Sequence, residues 1–197
     1  MSRLQDFYPW LIENKIAVPE FGQKTRLNQF LELLLSWNRK MNLTADHNHH
    51  ILLTRHLLDS LTPLAMEEFG KNPVVDVGSG TGFPAIPLAI MLPETPFVLI
   101  EKVARKCAFL KMTVRRLALT NVRIVESLLQ DWVQNEPRFQ TAITRAVRVD
   151  AELKTQLIEK GVERLVYFSS QPSENTILEY QLPAEKRKRF LDCFSLK

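Results

Sequence analysis

Cysteine is scarce: Cys107 and Cys193 are the only two among 197 residues. Two thiols can build neither a disulfide framework nor a cysteine-rich zinc module. Long apolar runs are missing too. The longest lies around Phe83–Leu92, interrupted by Pro84 and Pro87 and closed by Pro93. It falls short of the roughly 18 apolar residues that a membrane span needs. Met1–Trp10 contains Arg3 and Asp6 and no apolar centre, so a signal peptide is not expected. There is no internal repeat, no low-complexity tract and no large excess of one charge. Lysine and arginine number 26 against 22 acids, a balance of +4 that is compatible with nucleic acid without pointing to it. What remains is the composition of a globular chain, 45% apolar and 24% charged. The length suits one domain with an appendage, and the expected setting is the cytoplasm.

The first seventy residues carry a helical period. Leu4, Phe7, Tyr8, Leu11 and Ile12 form one stripe, and Leu27, Phe30, Leu31, Leu34, Trp37 and Met41 a longer one. Ile51 to Ala65 is a third run, which Pro63 should kink or shorten. The character changes at Pro73. Short β-branched or apolar runs at Val74–Val77, Phe97–Ile100, Val122–Val125, Thr141–Thr144, Arg164–Phe168 and Phe190–Ser195 are strand candidates. Helical segments separate most of them, at Ala85–Leu92, through Cys107 and Leu110, and at Ala151–Lys160. Phe97–Ile100 is apolar throughout, as a strand covered on both faces should be. Such alternation predicts an α/β fold with a doubly wound, mostly parallel sheet. Residues 1–70 are expected to form a helical extension packed on a core of residues 71–197.

The most informative stretch is Asp76-Val77-Gly78-Ser79-Gly80-Thr81-Gly82. Alternate glycines directly after a strand allow positive φ and let a ligand approach the backbone closely. The helix that follows aims its free N–H groups at the same place. A dinucleotide fingerprint would need glycine at position 83, where Phe83 stands, so a nicotinamide or flavin site is disfavoured. Glu101 ends the next strand, 19 positions beyond Gly82. In an open parallel sheet, ligands bind beyond the carboxyl ends of the strands. A carboxylate there can accept hydrogen bonds from both hydroxyls of a ribose. The plain alternative is a tight strand–helix turn with no ligand.

The D-x-G-x-G-x-G pattern resembles the first motif of class I S-adenosylmethionine (AdoMet) methyltransferases. Further segments narrow the resemblance: Trp37-Asn38, Asn42-Leu43-Thr44, Arg55-His56-Leu57-Leu58-Asp59-Ser60-Leu61, Gly82-Phe83-Pro84-Ala85-Ile86-Pro87, Arg105-Lys106 with Phe109-Leu110, and Thr144-Arg145-Ala146. Together they resemble the bacterial RsmG family, also called glucose-inhibited division protein B, from about Leu27 to Val147. That resemblance implies a seven-stranded Rossmann-like methyltransferase sheet. It also implies methyl transfer from AdoMet to ring nitrogen 7 of a guanine in small-subunit ribosomal RNA, free or in the assembled subunit. Gly78, Phe83, Leu129, Gln130 and Arg145 match positions that line the AdoMet pocket, beside Ser79, Gly80 and Gly82 from the loop itself and Glu101 from the next strand end. Two places depart from the family. Gln130 stands where an acid is usual, and Tyr167-Phe168-Ser169-Ser170-Gln171 where relatives commonly carry a lysine and a glycine.

A sulfonium methyl is already activated, so the expected reaction is an in-line displacement in which the protein positions the partners. The candidates for the boundary of cofactor and substrate are Arg145, Asn42, Thr44, His56 and Asp59. Arg145 could instead be a surface residue paired with Asp150 or Glu152. His56 and Asp59, at i and i+3, could form a hydrogen-bonded pair that only holds the N-terminal helices. His47, His49 and His50 have no accompanying cysteine and are not expected to bind metal. From Lys102 to Val125 there are seven basic residues and no acid. Lys102, Arg105, Lys106, Arg115 and Arg116 are the candidates there for tracking an RNA backbone. Lys186-Arg187-Lys188-Arg189 is a second basic run. A small-molecule or protein substrate, and an inactive AdoMet-fold binding protein, stay open as alternatives. A monomer is expected.

Overall fold

In the computed structural model, residues 3–133, 139–145, 147–183 and 185–197 are described. Ala146, part of one family segment above, lies outside them. Seven strands form one sheet: β1 (Val74–Val77), β2 (Phe97–Glu101), β3 (Val122–Glu126), β4 (Thr141–Thr144), β5 (Arg164–Ser169), β6 (Thr176–Gln181) and β7 (Lys188–Ser195). Their order is β3-β2-β1-β4-β5-β7-β6. β1 to β5 run parallel, and β7 is antiparallel to both β5 and β6. This is the doubly wound, mostly parallel sheet that the alternation implies.

Six of the strands coincide with the apolar runs in the sequence. β6 does not, because Thr176-Ile177-Leu178-Glu179-Tyr180-Gln181 is half polar and only Tyr180 in it is fully buried. β7 begins two residues before the apolar run and takes in Lys188 and Arg189.

Successive strand residues point to opposite faces, and both faces are covered. Val74, Phe97, Leu99 and Ile143 join a cluster with Leu27, Phe30, Leu31 and Leu34 of α2 (Phe21–Met41). Ile86 of α5 (Ala85–Met91) and Phe109 of α6 (Ala104–Arg116) complete it. Val75, Val77, Val98, Ile100 and Ala142 form a second cluster on the other face. Leu129, Trp132 and Phe139 lie in it with Leu153 and Leu157 of α7 (Ala151–Glu159). The N-terminal stripe is buried at Leu4 and Leu11 but not at Ile12, which is 66% exposed at the end of α1 (Tyr8–Glu13).

The segment before β1 is not a single α-helix. It runs through α3 (His49–Ile51), a π-helical turn (Leu52–Leu57), α4 (Leu58–Leu61) and a 3-10 turn (Thr62–Ala65) holding Pro63. Pro63 sits near the start of the 3-10 turn, where its missing N–H is least needed. The wide turn re-aims the side chains that follow it, as such turns do at functional sites.

Candidate functional site

β1 ends at the glycine loop. Gly78 has φ +72°, and a Cβ built on it would lie 2.5 Å from Val147 Cγ2. Only glycine fits there without strain. At Gly82 a Cβ would meet Ile86 Cγ1 at 2.6 Å, so its absence lets α5 pack onto the loop. Gly80 faces open space instead, since a Cβ there would meet nothing nearer than a backbone oxygen at 3.8 Å.

Glu101, buried at the end of β2, ties this loop to the next crossover. Its Oε2 accepts from Gly80 N–H at 2.8 Å and its Oε1 from Val103 N–H at 2.8 Å. Ser79 Oγ donates to the Asp76 carbonyl at 3.1 Å. Asp76 itself is buried, and its Oδ2 has no hydrogen-bond partner among the described residues. Burial raises this carboxyl to about 7. An unpartnered buried carboxylate oxygen beneath a loop whose Gly80 side is open suits the cationic, ribose-bearing donor that the sequence implies. Asp76, Glu101 and the loop backbone are the groups that would hold AdoMet.

The loop continues into Phe83, and a second constellation rests on it. His56 stacks on the Phe83 ring at 5.4 Å between centroids and 30° between planes. The Arg145 guanidinium carbon lies 5.4 Å from the same ring. Arg145 donates from NH2 to His56 Nδ1 at 2.8 Å and from NH1 to Asp59 Oδ2 at 3.4 Å. On the other side of the imidazole, Nε2 lies 2.7 Å from Asp46 Oδ2. With Arg145 able only to donate, Nδ1 must accept and Nε2 must carry the proton. This is neutral histidine in one tautomer. Burial, then the Arg145 charge, lowers the His56 pKa against the pull of Asp46.

Asp59 is fully buried and anchors three donors. They are Tyr180 OH at 2.7 Å, Arg189 NH1 at 3.1 Å and Arg145 NH1. Burial, reinforced by the Asp59 carboxylate, pushes the Tyr180 phenol well above its ordinary value, so it stays a donor. Burial lowers the Arg145 pKa, with Asp59 opposing the change. His56 and Asp59 therefore do not bond each other; Arg145 joins them. Neither Asp150 nor Glu152 is its partner, and Asp150 pairs instead with Arg148 at 3.9 Å.

Asp46 is aimed by a residue that the sequence pattern hides. Asn38 continues the buried stripe of α2, and its Oδ1 accepts from Thr44 N–H at 2.9 Å. Its Nδ2 donates to the carbonyls of Thr44 at 2.9 Å and Asp46 at 3.2 Å. Asn42 has another place: it ends α2 in the left-handed conformation, φ 47°, and is exposed. Leu129 is buried in the second cluster, and Gln130 beside it is exposed. Tyr180 and Arg189 were missed by pattern reasoning, the first in an unrecognised strand and the second inside a charge run.

Asp46, His56, Asp59 and Arg145 line one open groove of about 1050 Å³ together with Ser169–Gln171 and Lys186–Arg189. Lys102, Arg105, Lys106, Arg115 and Arg116 do not border it; Arg115 and Arg116 flank a shallow depression between α2 and α6 beside Leu33 and Trp37. No cluster of three or more metal-binding side chains occurs among the described residues. No described helix is long and apolar enough to cross a membrane.

The family model for rRNA small subunit methyltransferase G matches residues 23–190. The chain belongs to this family. Among curated members, it is 34% identical over 164 residues to ribosomal RNA small subunit methyltransferase G of Nitrosomonas europaea, covering 81% of this chain and 70% of that one. It is 38% identical over 162 residues to the Coxiella burnetii protein of the same name, covering 81% and 78%. Solved structures share the fold at lower identity. The methyltransferase domain of METTL16 superposes with a TM-score of 0.56 at 11% identity, covering 98% of this chain and 91% of that one. The C-terminal domain of precorrin-6Y C5,15-methyltransferase from Rhodobacter capsulatus gives 0.50 at 13% identity, covering 64% and 80%.

Proposed function

We propose that this member of the methyltransferase G family transfers a methyl group from AdoMet to N7 of a guanine in small-subunit ribosomal RNA. It would do so in the cytoplasm, as a monomer and without a metal ion. The observation that carries the reading is the pair of contacts on Phe83. One residue thereby links the glycine loop, where a donor would lie, to His56 and Arg145 on the floor of an open groove.

Bound AdoMet would supply an electrophilic methyl on sulfur, and the target nitrogen of guanine carries a free lone pair. The protein then needs no general base, which suits a neutral His56 engaged on both nitrogens. Arg145 can offer a donor to the purine oxygen beside N7, and Asp59 holds its guanidinium in place. The buried carboxylates favour the positive charge that the methylated ring gains.

The test is incubation with methyl-labelled AdoMet and small ribosomal subunits lacking the modification, followed by nucleoside analysis. Label in 7-methylguanosine of the ribosomal RNA is expected. Label confined to another nucleoside, to protein or to small molecules would overturn the reading.

A further inference from the structure

The groove beside Arg145 is unevenly charged along its lining. Its floor is balanced: the three acids Asp46, Asp59 and Glu185 stand against the three arginines Arg55, Arg145 and Arg189, with Asp59 meeting Arg145 and Arg189 and Glu185 meeting Arg189 and Arg55. The wall at the end of β5 is neutral. There Ser169 Oγ donates to the Gln171 carbonyl at 2.7 Å and accepts from Gln171 N–H at 3.1 Å. Beside it, at the same end of the β5–β7 pair, runs the connection from β6 to β7, where Lys186 and Arg187 are exposed. Neither has an ion-pair partner among the described residues, whereas Lys188 is paired with Glu179.

We propose that Lys186 and Arg187 hold phosphates of the RNA strand that carries the target guanine, along this rim of the groove. The inference rests on the functional reading above. Two long, solvated cations without fixed partners suit phosphate, which needs charge rather than a fixed pattern of donors. Reading a base edge would need side chains held in place, as Arg145 is. An exposed lysine is ordinarily just solvated. These two differ in position, because they are the unneutralised charges bordering the groove that contains Arg145. The basic residues of α6 have no such border.

The test compares the double variant Lys186→Ala/Arg187→Ala with Arg115→Ala/Arg116→Ala and the wild type. Initial rates of methyl transfer are measured against small-subunit concentration between roughly 50 and 200 mM salt. The first variant should raise KM for the subunit about tenfold and flatten the salt dependence by about 1 to 2 in logarithmic slope, near one per lost phosphate contact. Its Kd for AdoMet should match the wild type. The exchange Lys186→Arg/Arg187→Lys should restore both KM and slope. If the wild type methylates the subunit but Lys186→Ala/Arg187→Ala keeps its KM and slope, this inference fails and the functional reading stands. It fails equally if the exchange does not restore them, or if only the α6 variant responds. If the wild type transfers nothing, the functional reading fails first and takes this one with it.

Discussion

His56 shows what a single side chain contributes here. Its ring is gripped by Asp46 on one nitrogen and by Arg145 on the other, and the Arg145 grip demands the neutral form. Protonation would set an Nδ1–H against a guanidinium that also only donates. The folded pKa lies below the unfolded value, so the unfolded chain takes up a proton first as the medium turns acid. The stability contributed by this site is therefore complete above the ordinary histidine value of about 6.5 and is lost as pH falls through it. Thermal denaturation from pH 5 to 8 should show the wild type losing more stability on acidification than His56→Gln; equal losses would refute the assignment. Methyl transfer by His56→Gln should fall about tenfold or more, because a misplaced positioning group is felt strongly in rate. Some of this was legible in the sequence: Arg145, His56 and Asp59 stand out within family segments. Asn38 also stands in a family segment, but its role was not legible, because an amide in a leucine stripe reads as an interruption of the core rather than as the residue that folds Thr44–Asp46 back towards it.

Among the elements, the loop from β1 to α5 is the most constrained. Its conformation was readable from alternate glycines, but its neighbour was not. Val147 lies 69 residues downstream in another crossover and closes over Gly78.

 Gly78→Ala should cost roughly 1–3 kcal/mol, from the left-handed φ and the clash together. Val147→Ala should remove the steric part and leave the dihedral part. In urea titrations, the double variant should thus be less destabilised than the two single losses added. Strict additivity would mean that the two residues do not touch. The strand at Thr176–Gln181 escaped the sequence reading because an edge strand next to β7 is half solvated, so its alternation is carried by Thr176, Leu178 and Tyr180 alone. The π-helical turn had no signal, since Leu52–Leu57 keeps an ordinary helical apolar pattern.

Over the whole molecule, the two apolar clusters on opposite sheet faces account for the fold, and the carboxyl ends of the strands account for the site. β1, β2 and β4 deliver the glycine loop, Glu101 and Arg145 to one edge. The N-terminal helices supply the other half, because α2 shares its core with α5 and α6 while the turn after α3 sets His56 against Phe83. Alternation of strands and helices was enough to read the sheet from the sequence. The groove was not readable, since its walls come from segments far apart in the chain, near residues 46, 59, 145, 169 and 187. AdoMet is proposed to lie on the glycine loop with Glu101 as its anchor. Calorimetric titration of AdoMet into the wild type and Glu101→Ala tests it most directly. The wild type should bind, and the variant should show a Kd raised at least about tenfold, the scale of one lost charge-assisted hydrogen bond. An unchanged Kd in a variant that melts like the wild type would contradict it.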